Sequence, residues 1–237
     1  MGELGRKMKM DMELENLSLR TIQTYLTWMK NFTLHYGRSP EELGDDDIRN
    51  YLYFLIKEKR VAQSSINQAY SALKFFYQTT LGRDWNGEKI PRSKGPKKLP
   101  VVLSKEEVQD ILSSTANLKH LTMFMTIYSG GLRISEATHL KPEDIDSKRM
   151  SIKVRGKGNK ERYTLLGEKT LDILRTYWQV HRPSEWLFSS KTPGQPISTS
   201  AIQRAFKSSL HKSGVKKKAS IHTLRHSFAT HLLEFRD

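Results

Sequence analysis

Between Asn86 and Pro100 the chain loses all apolar periodicity, and this stretch divides it into two parts of different texture. It carries Pro91, Pro96 and Pro100, Gly87 and Gly95, and the bases Lys89, Arg92, Lys94, Lys97 and Lys98. Each proline removes a backbone donor and pushes the residue before it out of the helical region, so no helix or central strand runs through. The pattern predicts an exposed, extended, basic linker over residues 86–100, joining a domain of residues 1–85 to another of residues 101–237. With 237 residues in all, each part is long enough for its own core.

Residues 1–85 read as a bundle of three or four short helices. Leu19, Ile22, Leu26, Met29 and Phe32 recur at helical spacing within 17–36, and Gly37 follows as a stop. A second run, 48–59, sets Ile48, Leu52, Leu55 and Ile56 on one face after three aspartates in capping positions. A third, 64–80, carries Ile66, Ala69, Leu73 and Phe76.

The second part mixes periods. Ser104-Lys105-Glu106-Glu107 is a capping box that opens a helix through Val108, Ile111 and Leu112. Residues 121–129 are largely apolar and predict a buried helix that ends at Gly130-Gly131. Residues 150–154 and 162–166 alternate as strands around a glycine-rich turn, a β-hairpin with Lys157 at its tip. Helical patterns return at 169–180 and 199–213. The fold class expected is mainly α with a small β-sheet or hairpin, the second domain being α+β.

Charge narrows the function. The chain carries a net +15, and residues 101–237 hold 23 basic against 13 acidic side chains. A polyanion is the natural partner, because each lysine or arginine that meets a phosphate releases condensed counterions. There is no cysteine, which excludes disulfides, thiolate metal sites and cysteine nucleophiles. No run approaches 18 consecutive apolar residues, and residues 1–11 are charged without an apolar h-region. A soluble cytoplasmic protein is expected, with no membrane contact.

Three motifs carry chemistry suited to a phosphodiester: Gly131-Leu132-Arg133-Ile134-Ser135-Glu136, then 156–162 (Gly-Lys-Gly-Asn-Lys-Glu-Arg), then His222-Thr223-Leu224-Arg225-His226. Planar guanidinium forks give phosphate oxygens two parallel charge-assisted hydrogen bonds and stay protonated. Arg133, Arg225 and His222 offer such a cradle for the pentavalent transition state, and Lys157 suits the protonation of a leaving oxygen. His222 and His226 stand four apart, a zinc-capable spacing, but position 223 is threonine where the zinc-protease pattern needs glutamate, so no metal and no cofactor are expected.

In this order and spacing the three motifs resemble the tyrosine recombinase, or phage integrase, family, most of all its compact Xer-like and integron-integrase-like members. The resemblance runs from about residue 15 to residue 234. It implies an N-terminal SAM-like core-binding domain, a catalytic domain, and a basic linker that completes a clamp on double-stranded DNA. It implies Arg133, Lys157, His222 and Arg225 as catalytic residues, with Glu136 in support. It also implies that the helix 64–76 lies against the major groove, which makes Gln63, Ser64, Asn67 and Lys74 DNA-contact candidates; Lys94, Lys97 and Lys98 of the linker join them.

The activity implied is site-specific strand cleavage and rejoining through a tyrosine nucleophile, within a tetramer on paired DNA sites. No tyrosine follows Arg225, and Phe235-Arg236-Asp237 departs from the family's small residue and glycine. The expectation is a chain cut before the nucleophile, monomeric without DNA and unable to cleave alone. The alternative is a catalytically inactive DNA-binding module that occupies recombination sites.

Overall fold

A computed structural model describes residues 2–93, 95, 99–156 and 160–234. The chain forms two compact units, Met1–Lys97 and Lys98–Asp237.

The first unit is helical. Helix α1 (Glu3–Leu14) packs on α2 (Leu19–Tyr36), α2 on α4 (Gln63–Phe75), and α3 (Asp45–Lys57) on α4. Ser18 starts α2 by accepting from the Thr21 amide at 3.2 Å, and Gly37 ends it in the left-handed region at φ 64°. The three aspartates before Ile48 form the first turn of α3; Asp47 turns back to accept the Gly44 amide at 2.9 Å. Met8, Met12, Ile22, Phe32, Leu43, Ile48, Ile66, Leu73 and Phe76 make the core. Helix α1 has no counterpart in the sequence reading: its buried stripe is Met8 and Met12 within an otherwise charged segment.

The linker prediction needs correction over its first half. Ile90 is fully buried in the first unit's core, and the Asn86 side chain accepts the amides of Glu88 and Lys89. Gln63 Nε2 donates to the Ser93 carbonyl at 3.2 Å, and Ser93 Oγ donates back to Gln63 Oε1 at 3.1 Å. Ile90 and the Gln63 side-chain amide hold residues 86–93 against the helices, despite Pro91 and Gly87. Lys94, Lys97 and Lys98 lie outside the described residues.

The second unit is α+β. Helix α6 (Leu118–Gly130) is its axis, with Met123, Phe124 and Ile127 buried, and it contacts α5 (Lys105–Ser113), α8 (Glu168–His181), α9 (Thr199–Lys212) and α10 (Ile221–Glu234). The capping box at the start of α5 is formed: the Ser104 amide donates to Glu107 Oε2 at 2.7 Å, and the Glu107 amide to Ser104 Oγ at 3.2 Å. After α6 the chain turns through Gly131 into the short α7 (Ile134–Thr138), then into an antiparallel sheet in the order β1 (Ile145–Asp146), β2 (Ser151–Arg155), β3 (Glu161–Leu165). The hairpin register pairs Ser151 with Leu165 and Arg155 with Glu161. Among the described residues no helix is long and apolar enough to cross a membrane.

Candidate phosphate-binding site

The site is built around one carboxylate. Arg133 ends the turn from Gly131, and its own amide caps α7 by donating to Glu136 Oε2 at 2.8 Å. The same capping geometry swings the Arg133 guanidinium over Glu136, where Nη1 donates to Oε1 at 2.8 Å. From the hairpin, Arg162 forks onto the same group, Nη1 to Oε1 at 2.9 Å and Nη2 to Oε2 at 3.0 Å. From α10, Arg225 brings Nη1 to 3.6 Å from Oε2, within ion-pair range but too far for a hydrogen bond. Three guanidinium groups thus surround one negative charge, and the cluster is left with an excess of +2.

Burial decides the electrostatics. The Glu136 side chain is only 2% exposed, whereas that of Arg133 is 56% exposed. Burial alone would raise the Glu136 carboxyl, but the hydrogen bonds from Arg162 and Arg133 outweigh it and hold the group at about 2. Burial depresses the Arg225 guanidinium from its ordinary value, and the charge of Arg133 adds to this. Arg225 Nη1 is itself buried and has no hydrogen-bond partner among the described residues. A buried, charged donor without an acceptor marks the place where an anion fits.

Packing fixes these groups on three elements. Ile221 and Leu224 bury one side of α10 in the core, which turns His222 and Arg225, one turn apart, to another face. Phe228, one turn further on, sits where a β-carbon on Gly131 would lie 2.6 Å from its ring, so only glycine at φ 57° lets α10 close on the Arg133 turn. Thr164 Oγ1 donates to the Gly130 carbonyl at 2.7 Å and anchors β3 to the same turn. Beside the cluster a cleft of about 470 Å³ is lined by Arg133, Glu136, Lys141, Arg155 and Trp186, among others.

Arg133, Glu136 and Arg225 come together in this cluster, and exposed His222 shares the helix face of Arg225. Lys157 lies outside the described residues; the Gly156 amide donates to the Lys160 carbonyl at 2.8 Å. On α4, Ser64 and Lys74 are exposed. Gln63 is engaged by Ser93, and Asn67 is half-buried with Oδ1 unpartnered. Arg162 was not singled out from sequence. The apolar alternation of β3 marks Tyr163 and Leu165, whereas the structure turns Arg162 and Thr164 to the inner face.

Residues 101–236 match the phage integrase family, and residues 4–87 match the phage integrase N-terminal SAM-like domain. The Sinorhizobium fredii protein y4qK, named for an integrase/recombinase, is 46% identical over 236 residues, which cover 99% of this chain and 77% of the relative. Among solved structures, XerA recombinase superposes with a TM-score of 0.55 at 29% identity, covering 99% of this chain and 85% of that one. XerH recombinase bound to its difH substrate shares the fold, with a TM-score of 0.74 at 20% identity, 93% of this chain and 70% of that one.

Proposed function

The chain belongs to the phage integrase family of tyrosine recombinases, and from that premise we propose that it binds duplex DNA and activates a backbone phosphodiester for strand cleavage and rejoining. The observation that carries this reading is the buried, unpartnered Arg225 Nη1 beside the exposed Arg133 fork, in a cluster with two positive charges to spare. An oxyanion supplies what that geometry lacks: acceptors for two guanidinium groups, and negative charge that grows as a nucleophile adds to phosphorus.

In this reading Arg133 and Arg225 hold the non-bridging oxygens, and His222 donates a further hydrogen bond from the turn before Arg225. Lys157 protonates the leaving oxygen. Glu136 orients both arginines and does not touch the phosphate. Residues 226–237 contain no tyrosine, and none of the residues named above supplies the attacking group. Exposed Ser64 and Lys74 on α4, together with Lys94, Lys97 and Lys98, contact the DNA backbone away from the scissile position. Assembly on paired DNA sites follows the family's tetramer.

The test is duplex binding by the 237-residue chain, measured by fluorescence anisotropy from about 50 to 200 mM salt. Log affinity is expected to fall linearly with log salt, and Arg133→Ala and Arg225→Ala each to lower the slope by about 1. Slopes unchanged in both variants would overturn the assignment of this cluster to a DNA phosphate.

A further inference from the structure

We infer that Arg162 is a positioning residue: by occupying Glu136 it keeps Arg225 free for the anionic ligand. The inference rests on the phosphate-site reading above and adds a residue that the motifs alone do not assign.

The argument is one of acceptor capacity. A carboxylate offers about four lone-pair sites. In Glu136 four donors fill them: the Arg133 amide and Arg162 Nη2 on Oε2, and Arg133 Nη1 and Arg162 Nη1 on Oε1. Arg225 Nη1 stands at 3.6 Å from Oε2 and has no acceptor among the described residues. It is attracted by the charge but not bound by it. A saturated carboxylate thus orients Arg225 without consuming its donors.

Removing Arg162 opens two of the four positions. Arg225 Nη1 stands 3.6 Å from Oε2, and a shift of about 1 Å brings it to hydrogen-bonding distance. Once bonded to Glu136, that nitrogen is lost to a phosphate. Arg162 therefore acts through Glu136 on Arg225. A simple structural strap is a poor account of the same contact, because the hairpin is held independently. Thr164 Oγ1 ties β3 to Gly130 at 2.7 Å, and the β2–β3 ladder is paired from Ser151–Leu165 through Arg155–Glu161.

The experiment titrates the 237-residue chain with inorganic phosphate and follows the Arg225 side-chain Nε–Hε signal by NMR, assigned by its loss in Arg225→Ala. Arg162→Ala is expected to weaken the phosphate affinity reported by Arg225 about tenfold, roughly 1.4 kcal/mol. Arg162→Lys, which keeps the charge but not the fork, is expected to weaken it several-fold. The deciding comparison places both changes in a Glu136→Gln background. There no carboxylate competes for Arg225, and each effect should shrink below about twofold.

Equal losses in the two backgrounds would mean that Arg162 meets the anion directly or only supports the fold, and would overturn the inference. So would an Arg162→Ala protein that binds phosphate like the unaltered chain. In either case a saturable Arg225 response in the unaltered chain leaves the phosphate-site reading standing. No saturable response there would overturn both.

Discussion

The ring of Phe228 fills the space in which a β-carbon on Gly131 would lie, 2.6 Å from Cδ1 and 2.7 Å from Cε1. Through this contact α10, which carries Arg225, is seated on the turn that carries Arg133. Gly131→Ala combines a left-handed backbone with a steric conflict against a large ring. The expected cost is about 2 to 4 kcal/mol of stability, read from the urea midpoint. Gly131→Ala with Phe228→Leu should recover part of it, because the added methyl then has room. A Gly131→Ala chain as stable as the original would mean that α10 is not seated this way.

Acid should unlock the site at its centre. The Glu136 carboxyl sits at about 2 against an ordinary 4.5, because the arginine hydrogen bonds outweigh its burial. Its folded-state value is the lower one, so the folded chain binds fewer protons. The stabilisation is complete above about pH 4.5 and drains away as pH falls toward 2. It amounts to about 3 kcal/mol. Urea unfolding between pH 5.5 and pH 2 should show the unaltered chain losing more stability than Glu136→Gln. Parallel curves would contradict the arginine cage.

Ser227 links α10 to the start of the second unit. Its Oγ accepts the Leu103 amide at 2.9 Å and donates to the Thr223 carbonyl at 2.8 Å, and all of this is buried. Ser227→Ala leaves the Leu103 amide without a partner and should cost about 1 to 3 kcal/mol. Hydrogen exchange at Leu103 reads the effect locally, and protection equal to that of the unaltered chain would show that another acceptor takes over.

Lys94, Lys97 and Lys98 are expected to meet DNA phosphates. Replacing all three with alanine should reduce the magnitude of the salt slope by about 2 to 3 and weaken all duplexes alike. A slope that stays put would free this segment from the DNA path.

What could be read from the sequence was local. Capping residues and 3–4 spacing located α2, α3, α4 and α5, and Arg133, Glu136 and Arg225 stood out because each motif is written within a few residues. The strand β3 was visible as an alternation, yet its apolar members Tyr163 and Leu165 face solvent, 64% and 58% exposed. The inner face belongs to Arg162 and Thr164. Their partners, Glu136 and the Gly130 carbonyl, lie 26 and 34 residues away. Polar partners at that distance override an apolar pattern of period 2, and no local rule anticipates them. Helix α1 and the packing of Ile90 were hidden for the opposite reason: their apolar signals, two methionines and one isoleucine, are too sparse to read as a period.

The hydrogen bond between Leu103 and Ser227 spans 124 positions and joins the first core residue of the second unit to α10. On a ribosome this sets a schedule. Residues 101–220 emerge with their hairpin and α6 already made but with one wall of the core open, and Glu136 meets Arg133 and Arg162 well before Arg225 exists. The unit closes only when α10 clears the exit tunnel, since contacts this remote in sequence form last. A nascent chain therefore lacks a complete arginine cluster until α10 has been made, and the ability to grip a phosphate arrives with that helix.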